Sequence, residues 1–150
     1  MALFGQETFV EAQKTKGLAD PVYKLARATS LAAAGINGID RMLKADRLDA
    51  LVGPTMPPSW KIDAVNGDQI SGGGAGSLAA VAGYPHLTVP MGAVRGLPVG
   101  LSFMGAKWSD AKILSLGFAY EQASRALVVP RFPRSIEETP EVAPLLGRQR

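Results

Sequence analysis

The chain has 150 residues, 47% of them apolar, with 16 basic and 13 acidic side chains and a formal net charge of +3. That balance excludes a disordered chain, and a domain of this length can bury roughly 70% of its unfolded surface. The absence of cysteine removes disulfides and thiolate metal sites, and the single histidine, His86, removes imidazole clusters. Basic residues interleaved with acidic ones do not make the concentrated basic face that nucleic acid requires.

The charges are unevenly placed. Residues 69 to 106 carry one, Arg95, whereas the flanking segments carry 16 and 12. A membrane span does not fit this stretch, because Gly72 to Gly74, Gly76, Gly83, Pro85, Pro90, Gly92, Gly96, Pro98, Gly100 and Gly105 interrupt it. Met1 to Gln6 lacks a basic region followed by an apolar one, so no secretion signal is expected on this chain.

In chain order, Asp20-Pro21 predicts a helix start, the carboxylate accepting an orphan N–H and proline fixing φ in the first turn. Val22, Leu25, Thr29, Ala32, Ile36, Ile39 and Leu43 follow at three- and four-residue steps, one apolar stripe over about six turns. Gly35 and Gly38 lie inside it and predict close packing against that face. Leu48 to Val52 reads as a short strand, with the chain leaving the sheet at Pro54. Residues 59 to 71 read as a polar surface loop turning at Asn66-Gly67-Asp68.

Ser77 to Ala82 predicts a short helix ended by Gly83 and kept short by Pro85. His86 to Met91 and Pro98 to Met104 predict two strands around a turn at Gly92 to Leu97; apolar on both faces, they should be central in a sheet covered on both sides. Ser109-Asp110 predicts a capped helix with the stripe Ile113, Leu116, Tyr120, Ser124 and Leu127 and an i,i+4 pair of Glu121 with Arg125. Residues 131 to 150, with three prolines, read as a surface or poorly ordered tail. The fold class is α/β, and the helices are too few to cover both faces of so apolar a sheet centre.

Tests for chemistry fail one after another. The run Ser71-Gly72-Gly73-Gly74-Ala75-Gly76-Ser77 has no following Lys for a P-loop. It comes after a loop and is not trailed by the acidic residue that dinucleotide binding needs. Its glycines instead predict a close backbone approach. His86 has no partner among its sequence neighbours and no G-x-S-x-G elbow exists, so it reads as a packed, hydrogen-bonded residue. Asp63 and Asp68 flank a loop and read as solvated rather than as an acid/base pair.

Leu48 to Thr55 (LDALVGPT), Gly74 to Gly92 (GAGSLAAVAGYPHLTVPMG), Leu97 to Gly105 (LPVGLSFMG) and the helix from Trp108 to Gln122, in this order, resemble the C-terminal part of the amidase signature family, the bacterial peptide amidases in particular. The resemblance covers about residues 3 to 133. It implies part of a large mixed β-sheet flanked by helices, incomplete in this chain, with 134 to 150 as a poorly ordered tail. It also implies amide hydrolysis by a serine, a second serine in a cis peptide and a lysine, with no metal or cofactor.

The family's triad lies in an N-terminal Gly/Ser-rich signature. This chain has no Ser-Ser dipeptide and its serines and lysines match no triad position, so no catalytic residue is assigned. Thr55, Trp60 and Asp68 are the substrate-pocket candidates that the resemblance suggests. The implied partners are a small amide or peptide amide in a longer parent, and a missing N-terminal half or self-association; neither nucleic acid nor membrane is expected. A cytoplasmic chain is favoured, though a longer exported parent fits as well. The competing reading is a non-catalytic module that binds a partner through an exposed sheet edge or apolar face.

Overall fold

A computed structural model of the chain describes residues 5–70, 72–130, 132, 134–135 and 143–146. Helices α1 (Glu7–Gln13) and α2 (Pro21–Ala34) come first; α2 runs without a break through a π helix (Gly35–Asp40) into α3 (Arg41–Ala45). Strand β1 (Leu51–Pro54), helix α4 (Gly76–Ala82), strands β2 (His86–Val94) and β3 (Leu97–Met104), helix α5 (Asp110–Ser124) and the turn α6 (Ala143–Leu146) complete the order. Apart from α6, Phe132, Arg134 and Ser135, the predicted tail lies outside the described residues.

Local chemistry sets several boundaries as expected. The Asp20 carboxylate accepts from the Val22 N–H at 2.8 Å, and Pro21 opens α2. Gly83 ends α4 at φ 71°, its N–H bonded to the Ala79 carbonyl. Ser109 stands at the start of α5, but its hydroxyl donates to the Ala106 carbonyl at 2.7 Å rather than accepting from the helix. Among the described residues the ion pairs are Lys14 with Glu11 and Lys112 with Asp49, so the expected Glu121–Arg125 pair does not form. Arg125 instead closes α5 in a left-handed conformation at φ 46°.

The sheet is antiparallel in the order β1-β3-β2. The C-terminal end of central β3, Ser102 to Met104, is covered on both faces as its apolar sequence predicts, while Leu97 and Pro98 are exposed, in keeping with helices too few to cover the whole sheet. On one face Met104 packs with Ile39, Leu43 and Ala79; on the other Phe103 packs with Val89 and Ile113. The Phe103 and Tyr120 rings lie 5.8 Å apart, tilted by 59°. Strand β2, expected to be central, is an edge among the described residues.

Three departures from the sequence reading have physical causes. Strand β1 begins at Leu51 and includes Pro54, which a ladder tolerates because β1 is an edge and the missing donor faces away from β3. The hairpin turn is tighter than expected: Arg95 (φ 50°) and Gly96 (φ 79°) both take the positive φ of a two-residue type I′ turn. The long apolar stripe breaks at the π helix, so Ile39 is fully buried while Ile36 is 69% exposed. Close packing at Gly35 is as expected, with the Tyr84 ring against it.

Candidate functional site

The polar groups of the sheet gather on the face that carries Met104. A β-bulge between Pro90 and Gly92 shifts the hairpin register by one, pairing Thr88 with Ser102 and His86 with Met104. Side chains two apart on a strand share a face, so His86, Thr88 and Ser102 stand together, and Thr55 just beyond β1 joins them. The Thr55 N–H, bonded to the Gly100 carbonyl at 2.8 Å, extends the β1–β3 ladder by one step and fixes that position.

These four side chains form an unbroken hydrogen-bonded row. His86 Nε2 lies 2.6 Å from Ser102 Oγ, Ser102 Oγ lies 2.8 Å from Thr55 Oγ1, and Thr55 Oγ1 donates to Thr88 Oγ1 at 3.2 Å. Ser102 has no exposed surface, whereas Thr88 and His86 reach solvent. Gly100 leaves the space the row occupies: a Cβ there would stand 2.6 Å from Thr88 Cγ2 and 3.0 Å from Thr55 Oγ1.

The glycine-rich run crosses this end of the sheet. A Cβ on Gly74 would stand 2.2 Å from the Thr55 carbonyl oxygen, and one on Gly76 would stand 2.8 Å from the His86 ring. The Ala75 N–H bonds the Pro54 carbonyl at 3.1 Å. The glycines therefore serve close approach, the role expected of them from sequence. Ser71 lies outside the described residues.

Trp60 and Asp68 belong to a second, separate group in the loop between β1 and α4. Asp68 accepts from the Asp63 N–H at 3.0 Å, and its carboxyl is held below the usual range by that bond first and by the Trp60 side chain second. Asp63 accepts from the Asn66 and Val65 N–H groups at 2.8 and 2.9 Å and from the Asn66 amide at 3.1 Å, which lowers its carboxyl also. The loop is thus tied by its own side chains. Of the three pocket candidates, Trp60 and Asp68 stand near each other, the Trp60 side chain helping to lower the Asp68 carboxyl; among the described residues neither is bonded to Thr55.

Sequence reasoning missed the partners of Thr55 and His86. Ser102 and Thr88 lie within runs that read as apolar strands, and only the hairpin register brings them opposite each other. A third polar spot lies behind: Tyr84 donates to Asp40 at 2.7 Å, and this bond is the main cause that raises the phenol above its ordinary range. A groove of about 510 Å³ lined by Asp40, Lys44, Asp49 and Lys112, among others, adjoins that spot. Among the described residues no cluster of three His, Cys, Asp or Glu side chains could hold a metal ion, and no helix is long and apolar enough to cross a membrane.

No protein-family model matches the chain. A probable amidase of Arabidopsis thaliana is 30% identical over 130 residues, which is 86% of this chain and 22% of that protein. A bacterial aryl acylamidase of the amidase signature enzymes superimposes with a TM-score of 0.55 at 25% identity, over 79% of this chain and 26% of that one. The chain belongs to the amidase signature family. Within it the likeness is to peptide amidase: the enzyme from Stenotrophomonas maltophilia is 52% identical with a TM-score of 0.78, over 88% of this chain and 26% of that one. The chain therefore spans about a quarter of the length of the relatives it matches.

Proposed function

We propose that this chain is the C-terminal portion of an amidase that hydrolyses linear amide C–N bonds, with peptide amides as the substrate class. The observation that carries the reading is the 52% identity to a peptide amidase along 88% of the chain. Residues 1 to 133 are the amidase portion and 134 to 150 a tail. The chain supplies sheet core and part of the substrate pocket, with Thr55, Trp60 and Asp68 lining it. A serine nucleophile, its serine partner and the lysine that takes the proton come from the missing portion. Attack on the amide carbon then gives a tetrahedral oxyanion, the amine leaves with a proton, and water releases the acyl group.

The test compares the 150-residue chain alone with the chain co-expressed with an N-terminal complement that carries a Gly/Ser-rich signature. Ammonia release from a peptide amide is expected from the complex and not from the chain alone. Turnover by the chain alone, abolished by a serine-directed fluorophosphonate, would overturn the claim that the nucleophile lies elsewhere.

A second reading, a non-catalytic module binding through its apolar face, has one observation in its favour. Val22 is 75% exposed and Phe118 63% exposed, on helices whose inner faces are otherwise packed. Amide turnover by the complemented chain would remove it.

A further inference from the structure

The chain contains two asparagines, Asn37 and Asn66, and a glycine follows each of them. That pair has a chemistry of its own. A backbone nitrogen can attack the side-chain carbonyl of the asparagine before it, and glycine, having no Cβ, obstructs the approach least. A bond forms between the glycine nitrogen and the asparagine Cγ, and the bond from Cγ to Nδ2 breaks. The proton of the glycine nitrogen leaves with the amide as ammonia, and a five-membered imide ring remains. Water then opens the ring at either carbonyl, giving aspartate or isoaspartate, in which the chain runs on through the side chain.

The two sites present this dipeptide on different backbones. Asn37 and Gly38 lie inside the π helix. Closing the ring there would turn ψ of Asn37 away from its helical value and open the helix. Gly38 is also crowded, since a Cβ on it would stand 2.6 Å from the Ala33 carbonyl oxygen. Asn66 and Gly67 are exposed in the loop between β1 and α4. Gly67 has φ 82° and nothing within 4 Å of a built Cβ.

At this open site both reacting groups are held by one residue. The Gly67 N–H donates to the Asp63 carbonyl at 3.1 Å, and the Asn66 amide Nδ2 donates to the Asp63 carboxylate at 3.1 Å. The Asn66 N–H donates to the other oxygen of that carboxylate at 2.8 Å. Before Cγ can reach the Gly67 nitrogen, the amide must leave the carboxylate. We infer that Asn66 is a modification site that converts through the Gly67 imide to aspartate and isoaspartate while Asn37 persists, with Asp63 as the latch that sets the rate. The product replaces a hydrogen-bond donor beside Asp63 Oδ2 with a second carboxylate, so two negative charges meet where a bond held the turn. The loop that carries Trp60 and Asp68 is thereby released. This site stands apart from the amidase reading, and no part of its test depends on turnover.

The experiment incubates the 150-residue chain, folded and in urea, at mildly alkaline pH and weighs its tryptic peptides. Asn37 falls in peptide 28–41 and Asn66 in peptide 62–95, so each conversion is read separately whatever the state of association. In the folded chain, peptide 62–95 should gain the mass difference between amide and acid several-fold faster than peptide 28–41. Conversion of Asn37 as fast as Asn66, or of neither, overturns the site. Asn66 should convert faster still in urea, where the latch is lost; equal rates folded and unfolded overturn the latch. Asp63→Ala in the folded chain should speed Asn66 by about 10-fold, the worth of a bond to a charged group, and leave Asn37 slow. An unchanged or slower Asn66 overturns the latch as well. Acceleration of Asn37 in that variant marks it as unfolded, and the comparison with urea then decides. Finally, Asn66→Asp in a Trp108→Phe background should move Trp60 emission to longer wavelength; unchanged emission overturns the release of the loop.

Discussion

Asp63 and Asp68 hold a loop of this molecule together through bonds that need ionised carboxyl groups. Both are pushed below the ordinary carboxylate value by backbone N–H donors, Asp68 by the Trp60 side chain as well. A carboxyl depressed in the folded state contributes stability above its unfolded value, near 3.8, and loses it as the pH falls through the folded value. The loop should therefore loosen below about pH 3.8 and not above. In a Trp108→Phe background, Trp60 fluorescence should change over that acid window, and Asp68→Asn should remove part of the change. Tyr84 has the opposite sign: its raised phenol favours the folded state below pH 10.0 and ceases to as the pH rises beyond. Tyr84→Phe should flatten the alkaline limb of the stability profile measured by urea titration.

Secondary-structure elements differ in how far the sequence reveals them. The Asp20-Pro21 start, the Gly83 stop and the two apolar strands arise from local chemistry and were legible. Their register was not. Extending the Arg95-Gly96 turn in strict pairing would set Ser102 opposite Val89; the bulge at Pro90/Gly92 sets it opposite Thr88 and so assembles the polar row. The pocket candidates were legible only singly, since Thr55 finds its partners 33 and 47 residues away.

The glycines make the connection testable. Gly74→Ala sets a methyl 2.2 Å from a backbone oxygen that cannot rotate aside, so the crossing segment must lift from β1. A destabilisation of about 1–3 kcal/mol is expected in urea unfolding. Gly105→Ala, whose added carbon would meet Ile113 and Ser109 within 2.7 Å, should cost a similar amount. The glycines at 72 and 73 have nothing within 4 Å of a built Cβ; alanine at 73 should be nearly neutral.

At the scale of the whole molecule, large apolar side chains stand in solvent along the described residues: Val22, Leu25, Ile36, Trp108 and Phe118 are each more than three-fifths exposed. So much bare apolar surface is what a sheet and its helices show when further chain completes their core. The isolated chain should accordingly associate or bind the dye ANS strongly, as sedimentation and fluorescence would show, and the complement should abolish both. A monodisperse monomer with a sharp thermal transition would contradict this and support a self-sufficient module.

The π helix at Gly35–Asp40 gives that incompleteness a geometric form. A widened turn takes up an extra residue, which rotates the helix on its N-terminal side relative to the helix on its C-terminal side by about 100°, one residue's share of an ordinary turn. Ile39 and Leu43 consequently point into this chain's sheet, while Val22, Leu25 and Ile36 point elsewhere. One continuous rod thus serves two neighbours, and removing a single residue from the widened turn should realign its ends and set them competing for the same partner.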